Sequence, residues 1–360
     1  MMVVKPMRIV LKEPFRTEGG ALLNAPVAAY EEYGNPDGPV VLICHGGLSS
    51  PHAAGTDAAG LAGWFDPCIG SGKVIDTDRY RVLCINSLGG MFGTTSAQSI
   101  DPDTGKPYRA SFPKFTLVDQ VEFMYQALLA LGVTKVVWAL GVSMGSMNAA
   151  QLAVLHPEFV GALTPIATAA YMPAGGMAYH NAVANLIALH PQFNGGNYTL
   201  GSGIETAIQT MSIINKIYYT HYSLFESLVE QLDGTDQAAK DAALDSYLVT
   251  GSKAYADTRD PNCMLQTVKA VNTYHLASGF RDLDEAFSRL DMPVLIINIE
   301  QDSMFPPKYG MEFAAGINSH HPRGAEYMSI ISCMGHLGCV IEFDQLIPLL
   351  DAFRTGHVSE

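Results

Sequence analysis

The run Val136-Val137-Trp138-Ala139-Leu140-Gly141-Val142-Ser143-Met144-Gly145 constrains this chain more than any other. A β-prone apolar stretch ends in Gly-x-Ser-x-Gly, and a helix-forming stretch follows as far as Leu155, where His156-Pro157 stops it. Strand, tight turn and helix are the context in which Gly-x-Ser-x-Gly holds a strained, accessible nucleophile. A Cβ at Gly141 or Gly145 would crowd the turn. Ser143 is therefore the candidate nucleophile, placed at the positive N-terminal end of a helix where a developing oxyanion is stabilised.

The rest of the chain reads as a mostly parallel sheet interrupted once. Met7 to Phe15 and Val27 to Tyr33 read as antiparallel strands, and Val40 to Cys44 as a strand buried on both faces. His45-Gly46-Gly47 follows that strand, where a second oxyanion donor is expected; Gly47 and Met144 are the candidate backbone N–H groups, and His45 reads as structural. Tyr80 to Ile85 is a further strand, and the glycine-rich loop from Asn86 to Ser96 is expected to border the site. That loop lacks the Lys of a P-loop and the spacing of a dinucleotide fingerprint. Thr116 to Leu131 is helical, and Val160 to Ile166 is the next strand.

From about Thr168 to Glu285 the pattern is helical and broken by glycines, and strands resume at Met292 to Ile299 and Tyr327 to Ser332, before a closing helix from Ile341 to Phe353. The expected organisation is a core of residues 1–168 and 286–360 with a helical lid at 169–285. Asp302 and His336 each fall just after a predicted strand. Nucleophile, acid and histidine thus come in the order Ser143, Asp302, His336, which is that of the α/β-hydrolase fold. The chemistry needs all three, because a hydroxyl attacks only when a histidine takes its proton, and a carboxylate fixes that histidine's tautomer.

Composition narrows the partners. A formal net charge of −14 argues against nucleic acid and anionic membranes. No apolar run reaches the roughly eighteen residues of a membrane span. The six cysteines show no metal-ligand spacing, and no metal is expected. With no signal-peptide pattern, a reducing cytoplasm fits best.

Several stretches together resemble the homoserine O-acetyltransferase family of α/β-hydrolase-fold enzymes. They are Gly63-Trp64-Phe65-Asp66, Ile69 to Tyr80, the Asn86 to Thr95 loop, Asp101 to Tyr108, Phe112-Pro113, Ser143-Met144-Gly145, Asp302 to Pro307 and Gly335-His336. The resemblance implies a lid that forms a homodimer, a tunnel to Ser143, and ping-pong acyl transfer from acetyl-CoA to an alcohol. It also implies a lid arginine for the homoserine carboxylate and an acidic residue directly after the histidine. Here those places fall near Met211 and at Leu337, ahead of Ile217-Tyr218-Tyr219-Thr220 in the first case. The lid's two arginines, Arg259 and Arg281, lie elsewhere, and Lys216 is the remaining cation of that helix. A buried carboxylate without a partner costs several kcal/mol.

The expectation is a serine hydrolase cleaving short-chain, acetyl-type esters of uncharged alcohols, with Met211, Tyr218 and Leu337 lining the pocket and no cofactor required. The alternative is an O-acyltransferase using acetyl-CoA as donor. In either case the partner is a small-molecule ester or acyl donor.

Overall fold

The computed structural model describes residues 6–322 and 324–358. Eight strands form the central sheet: β1 (Met7–Val10), β2 (Val27–Gly34), β3 (Val40–Cys44), β4 (Arg81–Ile85), β5 (Trp138–Val142), β6 (Leu163–Ile166), β7 (Val294–Ile299) and β8 (Ala325–Ile330). Their order is β1-β2-β4-β3-β5-β6-β7-β8. The first two pairings, β1 with β2 and β2 with β4, are antiparallel, and the remaining five are parallel. β5 and β7 are buried along their whole length, which accounts for their apolar sequences; the exception is Asn298, whose amide donates to the carbonyls of Thr168 and Phe305. Trp138 anchors the middle of the sheet, fully buried, with its indole N–H donating to Thr164 Oγ1 at 2.9 Å.

The predicted strand Met7 to Phe15 stops at Val10. Glu13-Pro14 ends the alternation, and Phe15–Arg16 pairs instead with Leu22–Leu23 in a small separate hairpin.

Two helices flank the strand that leads to Ser143. α1 (Leu117–Ala130) begins with a capping box: Asp119 N–H donates to Thr116 Oγ1 (3.1 Å), and Thr116 N–H donates to Asp119 Oδ2 (2.8 Å). α2 (Met144–Leu155) is buried on all sides except at its last residue, which explains why its sequence is apolar with small residues throughout.

Between β6 and β7 the chain leaves the sheet as a helical segment. It contains α3 (Ala174–Ala188), α4 (Glu205–Tyr219), α5 (Tyr222–Val229), α6 (Gln237–Val249), α7 (Ser252–Asp257), α8 (Pro261–Val271) and α9 (Leu283–Ser288). Its two ends are tied together. Tyr171 and His275 form an antiparallel bridge, Met172 N–H donates to Tyr274 O (3.1 Å), and Leu276 N–H donates to Ala170 O (2.8 Å). The segment therefore leaves and re-enters the core at one place. α10 (Pro307–His320) and α11 (Phe343–His357) complete the chain. No helix among the described residues is long and apolar enough to cross a membrane.

Candidate active site

The turn after β5 has the strain its sequence implies. Ser143 has φ 54° and ψ −123°, a conformation costly for any residue with a Cβ. Its N–H donates to Ile166 O of the neighbouring strand at 3.0 Å, and the first turn of α2 closes behind it. A Cβ on Gly141 would lie 2.0 Å from Gly145 O, and one on Gly145 would lie 2.0 Å from Cys44 O. Both glycines are thus required by backbone packing, and the second packs α2 directly against the end of β3.

Asp302 lies three residues beyond β7. Its Oδ1 accepts from the N–H groups of Met304 (2.7 Å) and Phe305 (3.1 Å), which leaves Oδ2 free to face the loop after β8. There Oδ2 meets His336 Nδ1 at 2.7 Å, and His336 Nε2 meets Ser143 Oγ at 2.8 Å. Asp302 and His336 are both buried, so water does not compete for either bond. With Oδ2 ionised, Nδ1 carries the proton and Nε2 is left as the base that faces the serine. The fold thus brings together three side chains that are up to 193 residues apart in sequence.

The His45-Gly46-Gly47 loop lies over this serine. A Cβ built on Gly46 would be 3.7 Å from Ser143 Cβ, and one on Gly47 would be 3.8 Å from Met144 Cβ. These are ordinary contacts, so the protein's own packing does not force glycine here; the missing side chains leave room beside the serine. His45 lies outside the cavity and is buried. Burial pushes its pKa down, against a smaller opposing effect of the Gly46 carbonyl. The neutral ring bridges two backbones: Nδ1–H donates to Gly46 O (2.9 Å), and Nε2 accepts from Ser87 N–H (3.3 Å).

The Asn86 to Ser96 loop, expected to border the site, does not reach it. It packs on the edge of β2, with Thr94 Oγ1 accepting from Ala29 N–H (3.0 Å) and donating to Asn86 O (2.8 Å). Its link to the site is indirect, through Ser87 and His45.

Ser143 and His336 open into a cavity of about 240 Å³ between the core and the helical segment. Gly47 and Met144 line it from the core side; Met211 of α4 and Leu337 line it as well. Tyr218 does not. Expected in the pocket, it instead has its ring stacked on Tyr179 of α3 (3.9 Å between centroids, 5° between planes). Tyr179 lines the cavity in its place, and Tyr219 turns its ring toward His336, 5.2 Å away. Helix phase within α4 cannot reveal what α3 puts in front of it. Trp64, His180, Thr267 and Val268 also line the cavity and carry no local motif that marks them.

Among the described residues no Lys, Arg, Asp or Glu lines the cavity. Lys216 is committed elsewhere: its ammonium donates to the carbonyls of Tyr247 (2.7 Å), Leu248 (3.1 Å) and Thr250 (2.6 Å) at the end of α6. The Arg259 guanidinium sits over the Tyr255 and Phe92 rings, and Arg281 pairs with Asp282. Among the described residues no cluster of three His, Cys, Asp or Glu side chains is placed to hold a metal ion.

The helical segment is joined to the histidine loop at Gly335. This residue has φ 54°, and a Cβ there would lie 2.3 Å from Tyr219 O at the end of α4. Gly335→Ala is expected to push α4 and the His336 loop apart. Urea denaturation should show a loss of about 2 kcal/mol or more, and steady-state kinetics a fall in kcat of roughly 10²-fold. Unchanged kinetics would show that His336 is positioned independently of α4.

Sheet order, strained serine and hydrogen-bonded Ser–His–Asp chain define a protein of the α/β-hydrolase class. The family model for the alpha/beta hydrolase fold matches residues 39–342. A homoserine O-acetyltransferase from Deferribacter desulfuricans is 32% identical over 360 residues, covering 98% of this chain and 95% of its own. The crystal structure of homoserine O-acetyltransferase from Bacillus anthracis superposes with a TM-score of 0.91 at 26% identity, covering 100% of both chains. That of an esterase superposes with a TM-score of 0.88 at 25% identity, covering 98% of this chain and 100% of the other. The chain belongs to the α/β-hydrolase-fold family and, within it, to the homoserine O-acetyltransferase family, and it is an enzyme.

Proposed function

We propose that this enzyme hydrolyses short-chain, acetyl-type esters of uncharged alcohols through an acyl-enzyme on Ser143. The observation that carries the proposal is a Ser143–His336–Asp302 hydrogen-bond chain opening into a cavity without a charged anchor. His336 Nε2 takes the proton as Ser143 Oγ attacks the acyl carbonyl, and Asp302 stabilises the imidazolium. The N–H groups of Gly47 and Met144 receive the oxyanion, each contributing about 3 kcal/mol to the transition state. His336 then gives its proton to the departing alcohol. Water then attacks the acyl carbon as His336 Nε2 takes its proton; the bond from that carbon to Ser143 Oγ breaks, the acid leaves, and His336 returns the proton to Ser143 Oγ. No cofactor takes part. We read residues 169–285 as a lid on a core of 1–168 and 286–360.

Transfer to an alcohol instead of water uses the same steps. The sequence relationship to homoserine O-acetyltransferases favours this second reading, with acetyl-CoA as donor. Against homoserine as acceptor stands the cavity: Met211 and Leu337 occupy the places where the resemblance puts charged residues, and Lys216 is turned away. Two assays separate the readings. p-Nitrophenyl acetate should be hydrolysed, whereas acetyl-CoA with homoserine should yield no O-acetylhomoserine above the uncatalysed rate. Sustained O-acetylhomoserine formation would reverse the assignment.

Exposed apolar residues of the lid, among them Ile217 (52% exposed) and Tyr222 (69%), support the homodimer that the resemblance implies. Six free cysteines, five of them buried, suit a reducing cytoplasm.

A further inference from the structure

His180 is the one imidazole of the cavity that the proposed reaction does not use. It stands on α3, is only 7% exposed, and lines the same cavity as Ser143 and His336. Its tautomer follows from its neighbours. Asn272 Nδ2 donates to Asn181 Oδ1 (3.1 Å), so Asn272 presents its oxygen to His180 Nδ1, 2.8 Å away. Nδ1 therefore carries the hydrogen, and Nε2 is left with a lone pair. No described residue donates a hydrogen bond to Nε2. Val183, Met211, Val268 and Val271 line the same cavity. Open to the cavity and without a protein donor, Nε2 is available to a molecule bound beside Ser143.

The ring is also held neutral. Burial pushes its pKa below the ordinary imidazole value, the Asn272 hydrogen bond opposes this, and the nearby His336 lowers it further. A neutral acceptor does not bind a carboxylate; it binds a hydrogen-bond donor, which on an uncharged alcohol is a hydroxyl. The side of the substrate it meets also follows. Gly47 and Met144 lie on the core side of Ser143, where the carbonyl oxygen is held, and His336 must reach the leaving alcohol oxygen to protonate it. His180 stands on α3 of the helical segment, across the cavity from those core-side donors, and so faces the alcohol portion.

We propose that His180 Nε2 accepts a hydrogen bond from a second hydroxyl on the alcohol, so that the preferred substrates are monoesters of diols or polyols. This rests on the hydrolase reading for its kinetic expression, though not for the binding contact itself. Thr267, Tyr179 and Tyr219 add further hydroxyls to the wall that the helices present.

The test pairs 2-hydroxyethyl acetate with propyl acetate, which have the same number of heavy atoms and differ by the terminal hydroxyl. The wild-type enzyme should favour the hydroxyl ester in kcat/KM by about tenfold. His180→Leu should bring kcat/KM for 2-hydroxyethyl acetate down to that for propyl acetate, and His180→Gln, which keeps an acceptor, should retain part of the preference. A wild-type enzyme that treats the two esters alike, or a His180→Leu enzyme that keeps the preference, overturns the proposal. A second arm needs no turnover. In ¹⁵N spectra of the Ser143→Ala protein, His180 Nε2 should be unprotonated and should shift with 2-hydroxyethyl acetate but not with propyl acetate. A protonated Nε2, or an equal response to both, overturns it. A selective shift from a protein whose wild type cleaves no ester leaves the His180 site standing and removes the hydrolase reading.

Discussion

Replacing Ser143 by Ala is expected to lower kcat for p-nitrophenyl acetate by at least about 10³-fold, with the fold intact. The size follows from what the hydroxyl does. The bond made and broken in each half-reaction is to Ser143 Oγ, and no other nucleophile lies in the Asp302–His336 relay. Residual rate would come only from the oxyanion donors and binding acting on water. The left-handed φ of 54° belongs to the backbone and persists in the alanine variant, so the melting temperature should move little. Ser143→Gly should be equally inactive yet melt higher, because glycine accepts that conformation without strain. Kinetics and differential scanning calorimetry on the two variants together separate the chemical role from the structural one. Retained activity in either would remove Ser143 from the mechanism.

The largest effect on stability is expected at Gly145. Its built Cβ lies 2.0 Å from Cys44 O, 2.4 Å from Cys44 C and 2.7 Å from His45 O, all backbone. No rotamer change relieves contacts of that kind. Gly145→Ala must move α2 away from β3, which disrupts both the buried helix and the loop that carries Gly47. A loss of about 4 kcal/mol or more is expected, seen as a large drop in the denaturation midpoint or as insoluble protein. Gly46→Ala is the control. Its Cβ would meet nothing closer than 3.6 Å, so that variant should fold. A stable, active Gly145→Ala enzyme would contradict the packing described for the turn.

These two residues also show how much of the molecule could be read before its structure. Gly141, Ser143 and Gly145 announce a strand–turn–helix by their spacing, and the turn has that form because the clash of a Cβ with backbone is a local matter. The parallel strands were readable for a similar reason: burial on both faces demands continuous apolar runs, as in β5 and β7. Asp302 and His336 could be singled out because each follows a predicted strand, Asp302 the buried β7 and His336 the edge strand β8. The cavity walls on the helical segment could not. Tyr218 and Tyr219 differ by one position, and which of them faces the cavity is decided by Tyr179 on another helix. Lys216 shows the same limit, since its three carbonyl partners lie more than thirty residues downstream. The loop from Asn86 was misjudged because a glycine-rich strand exit suggests a site, while its actual partners, Ala29 and His45, are set by the packing of β2 and β3. His180 looks in sequence like any histidine within a helix; its accepting nitrogen emerges only once Asn272 is beside it.

The central claim is that Ser143 carries the acyl group between two half-reactions. Rapid mixing with p-nitrophenyl acetate, acid quenching and intact-protein mass spectrometry tests it most directly. The account predicts a transient species heavier by one acetyl group, located by proteolysis to the peptide containing Ser143 and absent from the Ser143→Ala protein. Steady turnover with no adduct at Ser143, or with the acetyl group on a different side chain in an active enzyme, would contradict it.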